Sequence, residues 1–158
     1  MNRYSPENRR KHSISVLKTS NALFTIARKP SHGLCICCGY PDRLDHPDYP
    51  KADPDAYLQI ADAVEYAAID AVSFEDAHRH NDLALLEHFS TTSVVFGAVA
   101  IAKSRIEPVE EIRQRLLEAL QHIDADRLIA APDCGLGLLS REQARAKLAN
   151  LCAAAKSV

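Results

Sequence analysis

The sequence predicts an α/β fold built on a parallel sheet. From residue 33 onward there are four apolar runs of strand length, three of which stop at a turn-forming or acidic residue. A stretch whose apolar residues recur at helical spacing, or a short helical segment, follows each run. Alternation of this kind places strands side by side in a parallel sheet with the helices outside it. The length of 158 residues is typical of one domain.

The first predicted unit pairs a short buried strand with a helix. Residues 34–38 form an apolar run, and residues 40–53 form a loop rich in Pro and Asp. Asp53 is predicted to cap the helix, because Pro54 fits the first helical position. Helical spacing of apolar residues then extends this helix to about Ile69.

The second and third units follow the same pattern. Residues 71–74 form a strand that ends at Glu75, and a short helix is predicted over residues 83–89. Residues 93–99 form the third strand. The helix after it has one apolar stripe, made of Val109, Ile112, Leu116 and Leu120.

The fourth unit ends the chain. Residues 127–131 form its strand, and Pro132 to Gly135 form a turn. Ser140 and Gln143 have the spacing of a capping box at the start of the last helix. The predicted buried face of that helix consists of Ala144, Leu148, Leu151 and Ala155.

Composition excludes several classes of protein. The formal net charge of −2 and the absence of Trp argue against a dedicated nucleic-acid binder. No apolar run approaches the roughly 20 residues of a membrane span. The N-terminus lacks the apolar stretch of a signal peptide, so we expect a cytoplasmic protein with no membrane or nucleic-acid partner.

Charge divides the chain into two parts. Residues 1–31 hold seven Lys or Arg and one acid, Glu7, and are predicted to be a basic, poorly ordered leader. Residues 32–158 are predicted to form the folded domain.

The cysteines indicate metal binding or catalysis. Five cysteines without a secretion signal are a poor disulfide framework, and in a reducing compartment clustered thiols favour a metal or a reaction. Three of the five fall within four residues: the set is Cys35, Cys37, Cys38, Cys134 and Cys152.

Four side chains are predicted to meet at one rim of the sheet. Cys35 and Cys37 are two apart on a strand, so they face the same way. Glu75 ends the next strand, and Cys134 lies in the turn after the fourth. Chemistry in parallel α/β folds collects at the carboxyl ends of strands. Thiolates with a carboxylate there make a plausible tetrahedral Zn²⁺ site.

Other candidate ligands have simpler interpretations. Cys38 points away from Cys37, and Cys152 lies on the inner face of the last helix, so both are predicted to serve packing. His78 and His80 have ligand-like spacing but lie in a polar stretch, which favours a surface position.

Several motifs resemble the C-terminal part of cobalamin-independent methionine synthase. The resemblance covers about residues 34 to 156 and is most specific at Pro-Asp-Cys-Gly-Leu, residues 132–136. The other matching segments are residues 37–40 (Cys-Cys-Gly-Tyr), 72–75 (Val-Ser-Phe-Glu), 103–112 and 124–136.

The resemblance implies a fold and a ligand set. The family has a TIM barrel, of which this chain would form roughly the last four βα units, a partial (β/α)8 barrel. Its zinc is held by a His-x-Cys pair, a Glu and a distal Cys. The matching positions here are Cys37, Glu75 and Cys134, and the position of the histidine falls on Cys35. His32 is the alternative fourth ligand if the chain bends before Cys37.

The resemblance also implies an activity. It is zinc-dependent transfer of a methyl group from a methyltetrahydrofolate-like donor to a homocysteine-like thiol, in methionine biosynthesis. Zinc lowers the pKa of the acceptor thiol and so supplies a thiolate. A family histidine linked to protonation aligns with Ala102. Asp133 and His80 are the candidates for the acid by proximity in sequence.

The short chain leaves alternatives open. A complete (β/α)8 barrel takes about 250 residues, and four βα units leave open sheet edges. Two copies, or this chain and a partner, would complete a barrel, or the chain is a fragment of the enzyme. The alternative function is a non-catalytic zinc-binding or interaction module derived from that barrel.

Overall fold

A computed structural model describes residues 15–16, 32–67 and 69–158, and its centre is a parallel sheet. The strand order is β1-β5-β4-β3-β2, and every pairing is parallel. The strands are β1 (Ser15–Val16), β2 (Gly33–Ile36), β3 (Ala71–Glu75), β4 (Ser93–Val99) and β5 (Leu128–Pro132). The helices are α1 (Ala56–Tyr66), α2 (Val109–Ala119) and α3 (Arg141–Lys156), with a 3-10 helix over Leu83–His88.

The predicted α/β class and order of elements are confirmed. The third predicted strand coincides with β4, and the predicted capping box of α3 is present, with Gln143 donating its backbone N–H to Ser140. The first helix is shorter than predicted. Asp53 accepts a hydrogen bond from the backbone N–H of Asp55, in a turn ahead of the helix, so α1 begins only at Ala56.

Strand β1 was not predicted, because two residues are too few for a periodic signal. Its residues Ser15 and Val16 lie in register with Ile129 and Ala130 of β5. Apart from these two residues, the predicted leader over 1–31 lies outside the described residues. No described helix is both long and apolar enough to cross a membrane.

The core lies between the sheet and the helices. Alternate residues of β3 and β4, such as Phe74 and Phe96, are buried on the helical side. Phe74 packs against Tyr57 of α1 and against Phe89, with ring centroids 4.7 and 5.4 Å away. Because side chains alternate along a strand, Glu75 points to the opposite face from Phe74. The sheet thereby separates an apolar helical side from a polar site.

Candidate metal centre

Three thiols converge at the carboxyl ends of β2 and β5. The Sγ atoms of Cys35 and Cys37 are 4.0 Å apart, and those of Cys37 and Cys134 are 3.8 Å apart. All three thiol sulfurs lie within 4.8 Å of one another, and all five cysteines are free. Zinc–sulfur bonds of about 2.3 Å in a tetrahedron separate two sulfurs by roughly 3.8 Å. The thiols therefore fit a zinc ion without rearrangement of the strands.

Tyr57 joins the end of β2, where Cys35 and Cys37 lie, to the end of β3. Its hydroxyl donates to the carbonyl of Ile36 at 3.1 Å and accepts the N–H of Glu75 at 3.3 Å. Cys37 follows Ile36 directly, so this bridge from α1 sets its distance from β3.

Asp133 positions the third thiol. Its carboxylate accepts the backbone N–H groups of Asp76, Ala77 and His78 at 2.9 to 3.0 Å. The neighbouring Cys134 is thereby tied to the loop after β3. Burial raises the pKa of Asp133, although its hydrogen bonds with His78 and the backbone act in the opposite direction. The carboxylate is thus a buried anchor with four donors.

Gly97 makes room for this anchor. A Cβ at position 97 would lie 2.3 Å from Oδ1 and 2.8 Å from Cα of Asp133, and 3.0 Å from the carbonyl oxygen of Phe74. Contacts this short do not occur between non-bonded atoms, so the close approach of β4 and Asp133 requires glycine.

The predicted surface position of His78 is wrong. Its side chain is 1% exposed, because Nδ1 hydrogen-bonds Asp133 at 2.6 Å and Nε2 accepts the N–H of Ala102 at 3.1 Å. A short polar stretch gives no sign that a distant carboxylate will bury one of its members. His80 is 66% exposed, as predicted, and lies against Asp76.

Asp133 and His80 are the two candidates for the acid. Asp133 already accepts four hydrogen bonds, and its partner His78 uses both ring nitrogens, so both residues hold structure in place. His80 directs its Nδ1 to Asp76, which also binds Arg115 through both carboxylate oxygens at 2.7 and 2.8 Å.

Glu75 stands apart from the thiols. The side chain is 2% exposed, and its oxygens accept the backbone N–H of Cys38 at 2.5 Å and the ammonium of Lys51 at 2.7 Å. Among the described residues it groups with His78 and Asp133, not with the three cysteines. Hydrogen bonds already occupy both nitrogens of His78 and both oxygens of Asp133, and Glu75 is bonded to neither residue.

The remaining sequence candidates are placed clearly. His32 is exposed, donates its backbone N–H to Asp70 and does not join the thiol group, whereas Cys35 does. Cys38 is buried in the core, as predicted from its direction on the strand. Cys152 is half-buried on α3, away from the thiol group.

The thiol of Cys37 resists ionisation in the absence of a cation. Partial burial, together with the adjacent thiols of Cys134 and Cys35, raises the pKa of Cys37 to about 12. Three thiolates cannot share this space without positive charge between them. A divalent metal supplies such charge and takes the place of the protons.

Tyr40 is a site residue that sequence reasoning missed. Its ring meets that of His78 edge-on at 5.0 Å, and its hydroxyl is buried without a hydrogen-bond partner among the described residues. Burial raises its pKa, and the nearby carboxylates of Asp133 and Glu75 raise it further. The hydroxyl therefore stays protonated and is a free donor beside the thiols. The loop between β2 and α1 brings Tyr40 to the site, and no local sequence pattern predicts the course of that loop.

Fold and site together define a class: a parallel α/β sheet that gathers three thiols, spaced as metal ligands are, at its carboxyl rim. Residues 53–157 match the family described as cobalamin-independent synthase, catalytic domain. That match exceeds half of the chain, so the chain belongs to this family. It includes Glu75 and Cys134 and begins after Cys35 and Cys37.

Known relatives agree with this assignment. A methionine synthase of Pyrococcus furiosus is 33% identical over 103 residues, which are 65% of this chain and 30% of that protein. A 5-methyltetrahydropteroyltriglutamate–homocysteine methyltransferase of Streptomyces avermitilis is 36% identical over 101 residues, 63% of this chain and 13% of the relative.

A solved structure shows the same fold. The B12-independent methionine synthase from Shewanella sp. W3-18-1, in complex with selenomethionine, superposes with a TM-score of 0.66 at 29% identity. The superposition covers 84% of this chain and 39% of that one. The predicted partial barrel is thus confirmed, and the chain spans less than half the length of these relatives.

Proposed function

We propose that this chain is the zinc-binding part of a methyltransferase that methylates a homocysteine-like thiol from a methyltetrahydrofolate-like donor, in methionine biosynthesis. The observation that carries the proposal is the group of three thiols at zinc-compatible separations. Names of the relatives support the reaction: one is a homocysteine methyltransferase and another a methionine synthase. A site of free thiols also needs a reducing compartment, which favours the cytoplasm.

The residues have distinct parts in this proposal. Cys35, Cys37 and Cys134 would hold the zinc, and Glu75 is the predicted fourth ligand. The acceptor thiol would take an open position or the place of Glu75. Zinc, when bound, would lower the pKa of that thiol and so supply a thiolate at neutral pH.

Neighbouring groups of the chain would orient the reactants. The Tyr40 hydroxyl is a free donor for a bound polar group, since it stays protonated and has no partner among the described residues. Asp133 and His78 would keep the rim rigid through their mutual bond at 2.6 Å. Preorganised donors of this kind lower the cost of orienting a substrate.

The competing proposal is a non-catalytic zinc-binding or interaction module. It is favoured by one observation: Asp133, the candidate acid beside the thiols, already accepts four hydrogen bonds and so holds structure in place.

The first test is the zinc content of the purified chain and of two cysteine variants. We expect about one zinc per chain, strongly reduced by Cys134→Ser and unchanged by Cys152→Ser, because a ligand is lost only in the former. Equal zinc content in the two variants would contradict the site.

The second test separates the two functions. Zinc-loaded protein is titrated with L-homocysteine, and zinc X-ray absorption counts the sulfur ligands. A gain of one sulfur indicates an open, reactive position, after which methyl transfer from methyltetrahydrofolate is assayed. An unchanged, closed coordination favours the structural module.

A further inference from the structure

The loop between β2 and α1 crosses the edge of the sheet at which the thiols lie, and it is tied to that edge at three places. Beside β2, Ala52 donates its N–H to the carbonyl of Cys38 at 2.9 Å. At the end of β3, Lys51 lies 2.7 Å from Glu75. The middle of the loop, at Asp45, is bonded to residues that follow β4. Because β2, β3 and β4 are neighbours in the sheet, the loop extends over all three strand ends.

Asp45 holds the next residue, His46, at this edge. The N–H of Asp45 bonds the carbonyl of Ala102 at 2.9 Å, and its carboxylate accepts the N–H of Ser104 at 2.9 Å. Ala102 in turn donates its own N–H to His78, the buried histidine that binds the anchor of the third thiol. His46 therefore follows directly on a residue that is bonded to the network around the thiols.

The ring of His46 has a nitrogen that is turned inward and lacks a partner. The side chain is 29% exposed, yet its Nδ1 is buried and forms no hydrogen bond with any described residue. Oδ1 of Asp42 lies 3.8 Å from Nδ1, which is too far for a hydrogen bond. Burial of an unpartnered nitrogen costs free energy, so this atom is expected to meet a polar group of a ligand.

The proposed reaction needs a proton donor, because a methyl group leaves nitrogen readily only when that nitrogen gains a proton. Asp133 and His78 are occupied by each other and by backbone groups. The ring of His80 lines a small cavity beside Arg115 of α2, on the helical side of the sheet. The Tyr40 hydroxyl can donate a hydrogen bond, but its raised pKa makes it a poor acid.

We propose that His46 is the acid that gives a proton to the leaving nitrogen of the methyl donor. The acceptor thiolate attacks the methyl carbon, and the sulfur–carbon bond forms as the carbon–nitrogen bond breaks. The electron pair of the broken bond stays on nitrogen, which takes the proton from Nδ1 of the His46 imidazolium. The neutral imidazole regains a proton from solvent through the exposed part of its ring. This inference rests on the proposed function and deepens it by assigning the acid.

The experiment compares two methyl donors in the zinc-loaded full-length wild type, His46→Ala and His46→Asn, with L-homocysteine as the acceptor. The leaving nitrogen of 5-methyltetrahydrofolate needs a proton, whereas methyl iodide releases iodide and needs none. We expect both His46 variants to be slower than wild type by about 100-fold or more with methyltetrahydrofolate, and to stay within about twofold with methyl iodide. Added imidazole should restore part of the lost rate to His46→Ala. The matched control is His122→Ala, which removes a histidine bonded to Glu87 and should react as the wild type does with both donors.

Nitrogen NMR of the zinc-loaded wild type gives a readout that does not depend on turnover. The imidazole signals of His46 should shift when 5-methyltetrahydrofolate is added, and those of His122 should not. If neither His46 variant folds, this shift decides, and its absence would overturn the inference.

Two kinetic results would also overturn the inference: wild-type rates with methyltetrahydrofolate in folded His46 variants, or equal losses with the two donors. A wild type that uses methyl iodide but not methyltetrahydrofolate would overturn it as well and would leave the activation of the thiol standing. A zinc-loaded wild type that does not accelerate the reaction of L-homocysteine with methyl iodide would instead overturn the proposed function, and the inference with it.

Discussion

Asp133 and Gly97 show how strongly the rim depends on single residues. Asp133 joins the end of β5 to three consecutive N–H groups after β3, and the absence of a side chain at 97 lets it do so. The carboxylate is fully buried, so each of its hydrogen bonds compensates for lost hydration. Cys134 owes its place to this neighbour.

Gly97→Ala is expected to lower the free energy of unfolding by about 2–3 kcal/mol, because the new methyl group overlaps Asp133. Zinc content should fall as well, since Cys134 would be displaced. Chemical denaturation and metal analysis measure the two effects. Gly137→Ala is the control, because a Cβ there meets nothing within 4 Å. Equal stability of the two variants would contradict this account of the rim.

Residue types at the site were predictable from sequence, and their partners were not. The sequence predicts that Cys35, Cys37 and Cys134 lie together, because strand alternation and the strand ends fix their positions. Glu75 was assigned to the metal on the same grounds. Its partner Lys51 follows a loop of irregular backbone, and no periodicity predicts where such a loop returns.

At the scale of elements, one carboxylate joins the end of α1 to the turn before β4. Glu65 accepts hydrogen bonds from the backbone N–H and hydroxyl groups of both Ser90 and Thr91, and from the N–H of Thr92. Burial acts to raise the pKa of Glu65, but these bonds outweigh it and the pKa lies far below its ordinary value.

Glu65→Gln is therefore expected to lower the free energy of unfolding by about 1 kcal/mol at pH 7, a modest amount because the site is near the surface. A carboxyl group with a depressed pKa stabilises the fold above its unfolded pKa of about 4.3, and the effect is lost as pH falls through the folded value. The difference between wild type and variant should thus shrink below about pH 4. Denaturation at several pH values measures it, and a difference independent of pH would contradict the assignment.

Helix α3 contains a buried residue that the spacing of apolar residues does not predict. Its capping box and Leu151 were predicted, yet the buried Lys147 was not. Lys147 donates to both oxygens of Glu107, at 3.0 and 2.8 Å, and to the carbonyl of Ala100. From sequence alone a lysine is expected at the surface unless its counter-ion is known. The counter-ion of Lys147, Glu107, lies 40 residues away in the chain.

At the scale of the whole molecule, the described sheet is open rather than closed. The edge strand β2 has Gly33, Leu34 and Cys35 exposed, and Leu34 keeps 42% of its surface accessible. Open apolar edges favour pairing with another chain. The fold class and four of the five strands followed from the sequence because parallel strands give short apolar runs, whereas closure of a barrel depends on segments beyond these units.

We expect the purified chain to associate into a dimer of twice its 17.4 kDa mass. Sedimentation velocity at several concentrations measures the mass. Leu34→Lys should return the protein to single chains if the β2 edge is the interface, because a charge on an edge strand opposes pairing. A single-chain mass at every concentration would refute the dimer.

The three thiols come from segments far apart in the chain, since Cys37 and Cys134 are 97 residues apart. A metal bound to them would tie β2 to β5, as a covalent bridge does. In the chain-entropy description of such bridges, closing a loop of this size removes freedom from the unfolded chain worth up to about 4–5 kcal/mol. A chelator would then act on this protein as a denaturant does, by freeing β2 from β5.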